Sequence, residues 1–348
     1  MKLNLVTFGD YMADPITGVF MSQAERHHMM IDGAVAAEAA GFYGVNFGEH
    51  HAGAFAMASP VLLLSAIAAR TSKLRLGTAV CLIANQDPLR VAEDFATLDV
   101  ISDGRVDLVV GRGNLFAHTY DLFGQKMSDS RQLFEENIQA VLELWSGKPA
   151  SFSGISRPAY KDVVLMPKPV QDPHPPLWIG GGGSAETAEL AARLGLPIAL
   201  PSAFSDPKRF LPIVEDYRER FASYGHKHAP QVAAFWHGNV GRDSQAVKER
   251  WRPRYETYMN WFSDQVRSQN PGWAAHKFDY DWLLSEGPAL AGSPQEVIDR
   301  LSLFSEMLKA DVNLIYLDMG GMPGSELNDM IGLMGTDVIP KLGVTVAA

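Results

Sequence analysis

Short apolar segments alternate with longer helical segments along the whole chain, and this alternation limits the folds that the chain can adopt. Eight of the short segments have strand length and are mostly apolar on both faces, as in a buried parallel sheet. The predicted strands are Leu3–Phe8, Gly44–Gly48, Leu74–Val80, Val106–Val110, Leu177–Ile179, Ile198–Leu200, Val232–Val240 and Val312–Leu317. Helix starts between them carry signals such as the capping box of Ser22 with Glu25. Eight strands separated by helices close most naturally into a (β/α)8 barrel, a fold of the α/β class.

The main alternative is an open, doubly wound sheet, which usually shows a glycine-rich turn directly after its first strand. Here the first predicted strand runs into Gly9-Asp10-Tyr11, so that signal is missing. Barrels of alternating strands and helices hold about 250 residues or more in one domain. We therefore predict a single domain over residues 1–348.

Two stretches interrupt the alternation and are predicted as insertions after the fourth and seventh strands. Phe152–Pro176 is rich in proline, with a short strand predicted at Val163–Met166. Phe262–Ala291 is aromatic and irregular. Together with the preceding helix it holds Trp251, Tyr255, Tyr258, Met259, Trp261, Phe262, Trp273, Phe278, Tyr280 and Trp282. Such a set is typical of a lid over an apolar substrate, and equally of a small satellite hydrophobic cluster.

The composition argues against several classes of function. A net charge of −10 disfavours nucleic acid or an anionic membrane as a standing partner. The single cysteine, Cys81, allows no intramolecular disulfide and no cysteine-type zinc site, which fits a reducing cytoplasm. We expect no signal peptide, because the acidic Asp10 follows the N-terminus closely. We also expect no membrane span, because Gly53 and Pro60 interrupt the longest apolar stretch.

Reactive residues are expected at the C-terminal ends of the strands, where barrels of this type place their active sites. Glu49-His50-His51 follows the second predicted strand. Adjacent loop histidines point in different directions and make a poor chelating pair, but one of them can act as acid or base near neutral pH. The alternative is a hydrogen-bonded loop histidine with no chemical role.

Two glycine-containing turns at later strand ends are candidates for anion binding. Residues 111–114 (Gly-Arg-Gly-Asn) follow the fourth strand, and Arg112 offers five fixed donors, although a structural salt bridge would use the same donors. Gly180–Thr187 follows the fifth strand and opens a helix, so it presents free amides, a positive dipole end and the hydroxyls of Ser184 and Thr187. This context favours phosphate binding over a flexible linker, and both a flavin phosphate and a sugar phosphate fit it.

A series of motifs, in order along the chain, resembles the luciferase-like flavin monooxygenases. The motifs are Glu49-His50-His51, Arg75–Val80, Pro88–Asp94, Ser102–Arg105, Arg112-Gly113, Ser184–Thr187, Gly195–Pro197 and Ala291–Glu296. The similarity spans about residues 1–345, and the order and spacing of the motifs make it specific. It implies a barrel that binds reduced flavin mononucleotide (FMN) at the C-terminal ends of the strands.

The resemblance also assigns roles to individual residues near the cofactor phosphate. The family's phosphate site corresponds to Arg112, Ser184, Thr187 and the Gly183–Ser184 backbone, and Gly182 is expected to contribute to cofactor binding as well.

Further residues correspond to those near the flavin ring and the reacting atoms. In several members a cis peptide bond that does not precede proline supports the flavin ring, and here it would fall at Ala79-Val80. The catalytic histidine of the family maps to His50, with Glu49 or His51 expected to orient it.

The implied activity is that of a two-component monooxygenase. Reduced FMN would come from a separate flavin reductase, because no nicotinamide-binding fingerprint is visible in this chain. Dioxygen would add to the flavin, and the resulting flavin peroxide would oxygenate a small, apolar aldehyde, ketone or related molecule. Light emission does not follow, because Gly111 stands where the light-producing luciferase subunit has a reactive cysteine.

Other functions are compatible with the same fold. A deazaflavin-dependent oxidoreductase shares the phosphate turn, although Glu-His-His favours the flavin branch, and a non-catalytic flavin-binding subunit is a further alternative. A barrel glycosidase would need paired carboxylates at the strand ends, and a metal hydrolase would need convergent ligands; we find neither set, and no metal is expected. The apolar helix Pro60–Ala69 indicates burial in the core or in an interface, and because the family dimerises through this region we expect a homodimer.

Overall fold

A computed structural model describes residues 1–181, 183–270, 279–343 and 345. The strands are β1 (Lys2–Thr7), β2 (Gly44–Phe47), β3 (Arg75–Thr78), β4 (Val106–Val110), β5 (Ala150–Phe152), β6 (Tyr160–Val163), β7 (Leu177–Gly180), β8 (Ile198–Leu200), β9 (Val232–Val240), β10 (Ala289–Gly292) and β11 (Val312–Tyr316). The α-helices are α1 (Gln23–Ala39), α2 (Pro60–Ala68), α3 (Pro88–Ile101), α4 (His118–Leu122), α5 (Ser130–Trp145), α6 (Ala185–Leu194), α7 (Leu211–Ser223), α8 (Ser244–Gln269), α9 (Tyr280–Ser285), α10 (Pro294–Leu308) and α11 (Gly324–Leu333). Short 3₁₀ or π turns occupy Ile83–Asn85, Met127–Asp129, Ser202–Phe204, Pro207–Phe210, Met334–Val338 and Ile339–Lys341.

Eight parallel strands close into a barrel in the order β1, β2, β3, β4, β7, β8, β9, β11 and back to β1. The ring is closed by β11 and β1, which pair from Lys2 opposite Val312 to Val6 opposite Tyr316. All eight barrel strands coincide with the eight predicted from the sequence. The prediction of a (β/α)8 barrel is therefore confirmed.

Each barrel strand buries both of its faces, which explains why the strands lack an apolar–polar alternation. In β4, for example, Leu108 and Val110 pack into the cluster between sheet and helices. Val109 between them belongs to a second cluster, which includes Val6 and Leu314. The first cluster fixes the helices on the outside, and the second fills the barrel interior and continues under α8.

The proline-rich segment between α5 and β7 forms a two-stranded antiparallel hairpin of β5 and β6. The strand predicted at Val163–Met166 is misplaced, because the observed strand ends at Val163. Beyond that point Val164 and Met166 are exposed, and Pro167 has no N–H to donate to a strand ladder.

The segment after β9 is more regular than the sequence indicated. Residues 262–269 continue α8, so the prediction of irregular structure from Phe262 onward is wrong for this part. Residues 289–292 form β10, which pairs with β9 outside the barrel ring and so adds a ninth strand to the main sheet. The sequence Ala-Leu-Ala-Gly has no β-branched or aromatic residue, so it gave no strand signal. Two of the aromatic residues noted above, Trp273 and Phe278, lie outside the described residues.

Helix α2 is buried on one face only. Leu64 and Ile67 are fully buried, whereas the side of the helix with Leu62 is open to solvent in the single chain. The sequence allowed burial in the core or in an interface; the Leu64 face is in the core, and burial of the Leu62 side in an interface stays a prediction. In the described ranges, no helix combines the length and the apolar character that crossing a membrane requires.

Candidate active site

A cavity of about 480 Å³ opens at the C-terminal ends of the barrel strands. All eight barrel strands, or the loops that follow them, contribute lining residues. Of the residues singled out from the sequence, Glu49, His50, Ala79, Val80, Arg112, Gly183, Ser184 and Thr187 line this cavity. Gly182 lies outside the described residues, and His51 is not among the residues that line the cavity.

His50 lies in the loop after β2, surrounded by aromatic rings. Its imidazole stacks on Phe55, with ring centroids 3.9 Å apart, and meets Phe8 and Phe116 edge to face. Burial among these rings, with a further contribution from the neighbouring His51, lowers the pKa of His50 to about 3. His50 is therefore a neutral imidazole at physiological pH, able to accept one proton and donate another.

The Glu49 carboxylate is held firmly by the protein. Gln86 Nε2 donates to both carboxylate oxygens at 2.8 Å, and the backbone N–H of Leu82 donates to Oε2 at 3.0 Å. His51 Nε2 lies 2.6 Å from Oε1. These contacts tie the β2 loop to the segment after β3, so Glu49 and His51 brace the loop that carries His50. Gln86 was not anticipated, because nothing in the sequence links it to a glutamate 37 residues away.

One end of the cavity is suited to an anion. Ser184 caps α6 and accepts a hydrogen bond from the Thr187 backbone N–H, and their hydroxyl oxygens are 3.1 Å apart. The guanidinium of Arg112 and that of Arg131, at the start of α5, line the same end. Among the described residues neither guanidinium has an ion pair with a carboxylate. Arg131 was missed, since it lies on a helix and outside any strand-end motif.

In the cavity wall between β3, β4 and β7, the backbone comes close to the Val80 side chain at two positions. The Ala79–Val80 peptide bond is cis, at the position that the family resemblance indicated. A Cβ atom on Gly111 would come within 2.3 Å of Val80 Cγ2, and one on Gly180 within 2.5 Å of Val80 Cγ1. Both positions therefore require glycine to leave room for the Val80 side chain, which also explains why a cysteine cannot stand at 111 beside this valine.

The Gly111→Ala substitution tests this packing. We expect it to lower the free energy of unfolding by about 1–3 kcal/mol, because the new methyl group overlaps Val80. Urea denaturation measures the change, and the same substitution in a Val80→Ala background should cost much less. Gly332→Ala is a matched control, since its Cβ would meet nothing within 4 Å on an exposed face of α11. Equal costs of Gly111→Ala in both backgrounds would contradict the assignment.

The other end of the cavity is lined by phenylalanine rings. They are Phe8, Phe116, Phe204, Phe235 and Phe262. Phe204 stacks on Phe262 with ring centroids 5.6 Å apart. Among the described members of the aromatic set predicted from the sequence, only Phe262 faces the cavity; most of the others pack into the interior cluster below α8. Phe116 and Phe204 were not foreseen, because single phenylalanines in loops carry no recognisable motif.

Comparisons with known proteins agree with this geometry. The luciferase-like monooxygenase family model matches residues 3–308 of the chain. The oxygenase component of a flavin-dependent trigonelline monooxygenase from Acinetobacter baylyi is 24% identical over 335 residues, covering 92% of this chain and 90% of that protein. The crystal structure of monooxygenase RslO1 from Streptomyces bottropensis superposes with a TM-score of 0.85 at 25% identity, covering 98% of this chain and 99% of that one.

The same fold also serves other cofactors. The coenzyme F420-dependent tetrahydromethanopterin reductase from Methanopyrus kandleri superposes with a TM-score of 0.70 at 18% identity, covering 98% of this chain and 99% of that one. The fold alone therefore does not choose between a flavin and a deazaflavin. The match over residues 3–308, together with the full-length relatives, does decide the family. The chain belongs to the luciferase-like monooxygenase family.

Proposed function

We propose that this protein is the oxygenase component of a two-component system, using reduced FMN and dioxygen to oxygenate a small, uncharged organic molecule of the aldehyde or ketone type. The observation that supports it most is a single cavity with two chemically different ends. One end offers a capped helix N-terminus and two guanidinium groups that form no ion pair with a described carboxylate, and the other offers aromatic rings around a neutral histidine.

The residues of the anion end fit the terminal phosphate of FMN. Arg112 and Arg131 carry two positive charges that no described carboxylate neutralises through an ion pair, which matches a dianion. Ser184 and Thr187 add hydroxyl groups at the first turn of α6, where the helix dipole favours negative charge. The apolar wall formed by Ala79 and Val80 is suited to one face of a flavin ring.

Two carboxylates beside the anion end favour FMN over a deazaflavin of the F420 type, whose tail carries glutamate residues. Glu135 and Glu186 both line the cavity there. Hydrogen bonds from its own backbone N–H and from Ser184, with the charges of Arg131 and Arg112, lower the pKa of Glu186. Glu135 is partly compensated by an ion pair with Arg193. The acidic tail of such a deazaflavin extends beyond its phosphate and would be repelled by these two carboxylates, whereas FMN ends at its phosphate.

Bound reduced FMN supplies the electrons that activate dioxygen. The chain's own contribution is positioning and proton control. His50, neutral and facing the cavity, moves a proton at an imidazole nitrogen, while Glu49 and His51 hold its loop in place. The phenylalanine end excludes water and accepts an uncharged substrate, because it offers no free charge among the described residues.

Two partners are part of this proposal. A separate reductase would deliver reduced FMN, in line with the name "oxygenase component" carried by the Acinetobacter relative. A second copy of the chain would cover the side of α2 that carries Leu62, a residue that is 67% exposed in the single chain.

An anaerobic titration tests the function. Reduced FMN is added to the purified protein, air is admitted and the absorbance spectrum is recorded, with reduced F420 as the parallel ligand. We expect FMN to bind at least about tenfold more tightly than F420. On admission of air we expect a persistent band that differs from oxidised flavin. Tighter binding of F420 would replace the proposal with a deazaflavin enzyme, and FMN binding with immediate reoxidation would favour a flavin-binding subunit.

A further inference from the structure

A second cavity, of about 160 Å³, lies at the opposite, N-terminal end of the barrel. Its outer lining includes Lys2, Tyr43 and Gln231, which retain solvent exposure. Deeper inside, Asn4 Nδ2 donates to Asn46 Oδ1 at 2.8 Å, while the buried Asn4 Oδ1 has no hydrogen-bond partner among the described residues. Buried polar atoms rarely stay unpaired, so this cavity has both the space and the polar partner for water.

The two cavities share two lining residues, Val109 and Leu314. Their strands, β4 and β11, stand opposite each other in the eight-strand ring, so the two side chains approach the barrel axis from opposite sides. Ala199 of β8 and Ala233 of β9 belong to the same interior cluster and are small, while Trp178 of β7 also lines the second cavity. Val109 and Leu314 therefore form an apolar partition within the filled barrel interior, with this second, base cavity on one side and the candidate active site on the other.

Such a partition discriminates between water and dioxygen. A water molecule that enters an apolar gap loses hydrogen bonds, at a cost of several kcal/mol. Dioxygen is apolar and incurs no such cost. Val109 and Leu314 also border the same cavity as His50 and Val80, so a gas molecule that passes them arrives beside the proposed reaction centre.

We propose that the base cavity and the Val109–Leu314 partition form a route by which dioxygen reaches the flavin from the N-terminal end of the barrel. Cofactor and substrate would fill the opening of the active-site cavity at the C-terminal end of the barrel. The route therefore lets dioxygen enter a loaded site while the apolar partition keeps bulk water out. This inference rests on the proposed function, because it needs bound reduced flavin.

The first experiment measures how fast dioxygen oxidises the bound reduced FMN in stopped flow, without substrate. Two electrons and two protons pass to dioxygen, giving oxidised FMN and hydrogen peroxide. We expect Val109→Ala to raise the second-order rate constant roughly threefold or more, because it widens the partition, and Ala233→Val to lower it. Val110→Ala is the matched control, since it makes the same change on the opposite face of β4 and should leave the rate unchanged. Ferricyanide, too large and too charged for the route, should oxidise all variants equally.

The second experiment needs no flavin. Crystals of the full chain are pressurised with xenon, which occupies apolar spaces open to a gas. We expect xenon at the partition, with higher occupancy in Val109→Ala than in Val110→Ala.

The outcomes separate this inference from the proposed function. A protein that binds no reduced FMN overturns both. A protein that binds it, but shows equal dioxygen rates in Val109→Ala and Val110→Ala, overturns the route alone. A parallel change in the dioxygen and ferricyanide rates would also overturn the route, because it would place the effect at the C-terminal opening of the active-site cavity. The absence of xenon at the partition would overturn the route as well.

Discussion

Turnover of a His50→Ala variant is expected to fall roughly 100- to 10,000-fold, while its dissociation constant for FMN stays within about twofold of wild type. The imidazole faces the cavity beside the phenylalanine end, away from the arginine end, so its loss removes a proton-transfer group and leaves the phosphate contacts intact. Product formation with reduced FMN, dioxygen and a panel of ketones and aldehydes measures turnover, using whichever compound the wild type converts fastest. Equal losses in turnover and in FMN binding would contradict the assignment.

The pH dependence provides a second check on His50. Because its pKa is lowered to about 3, the neutral imidazole is the dominant form at all higher pH values. We therefore expect no loss of turnover from protonation of this residue between about pH 5 and pH 8. If wild-type turnover fell near the ordinary histidine pKa and this fall were absent in His50→Gln, burial would not suppress protonation of His50. His51→Ala is the matched control, and we expect it to have a smaller effect because His51 acts through Glu49.

Binding of FMN to an Arg112→Ala variant is expected to weaken roughly ten- to hundredfold, whereas binding of riboflavin is unchanged. A hydrogen bond to a charged group contributes about 1.5–3 kcal/mol, and Arg112 is a half-buried guanidinium at the anion end of the cavity. Riboflavin has the same ring but no phosphate, so the pair of ligands isolates the phosphate contact. Quenching of flavin fluorescence on binding measures both constants.

The neighbouring arginine and a distant one serve as references for this experiment. Arg131→Ala should have a smaller effect, because Arg131 is more exposed and its charge is screened by solvent. Arg90→Ala, which removes a paired arginine on the surface of α3, should change neither constant. If Arg112→Ala weakened riboflavin and FMN equally, the arginine would support the cavity wall and not the phosphate.

The barrel was predictable because its signals are local. Each strand is a short apolar segment, and caps such as Ser22 with Glu25 form within four residues of the chain, as the structure confirms. The strand-end rule then placed His50, Arg112 and Ser184 around one cavity without any knowledge of their neighbours.

The rest of the site depends on contacts between segments that are distant in sequence. The environment that keeps His50 neutral comes from Phe8, Phe55 and Phe116, which belong to three different loops or strand ends. Likewise, the requirement for glycine at 111 follows from the side chain of Val80, 31 residues earlier. Such effects arise only when the barrel is closed, so no local pattern announces them.

The pairing of β1 with β11 also fixes when the site can exist during synthesis. The strand β1 is synthesised long before its partner on one side, which begins at Val312. Until then the edges of the nascent sheet stay unpaired and its apolar interior stays uncovered, a condition that favours aggregation and chaperone binding. Because all eight strands or their following loops line the cavity, the complete cavity forms only when β11 pairs with β1.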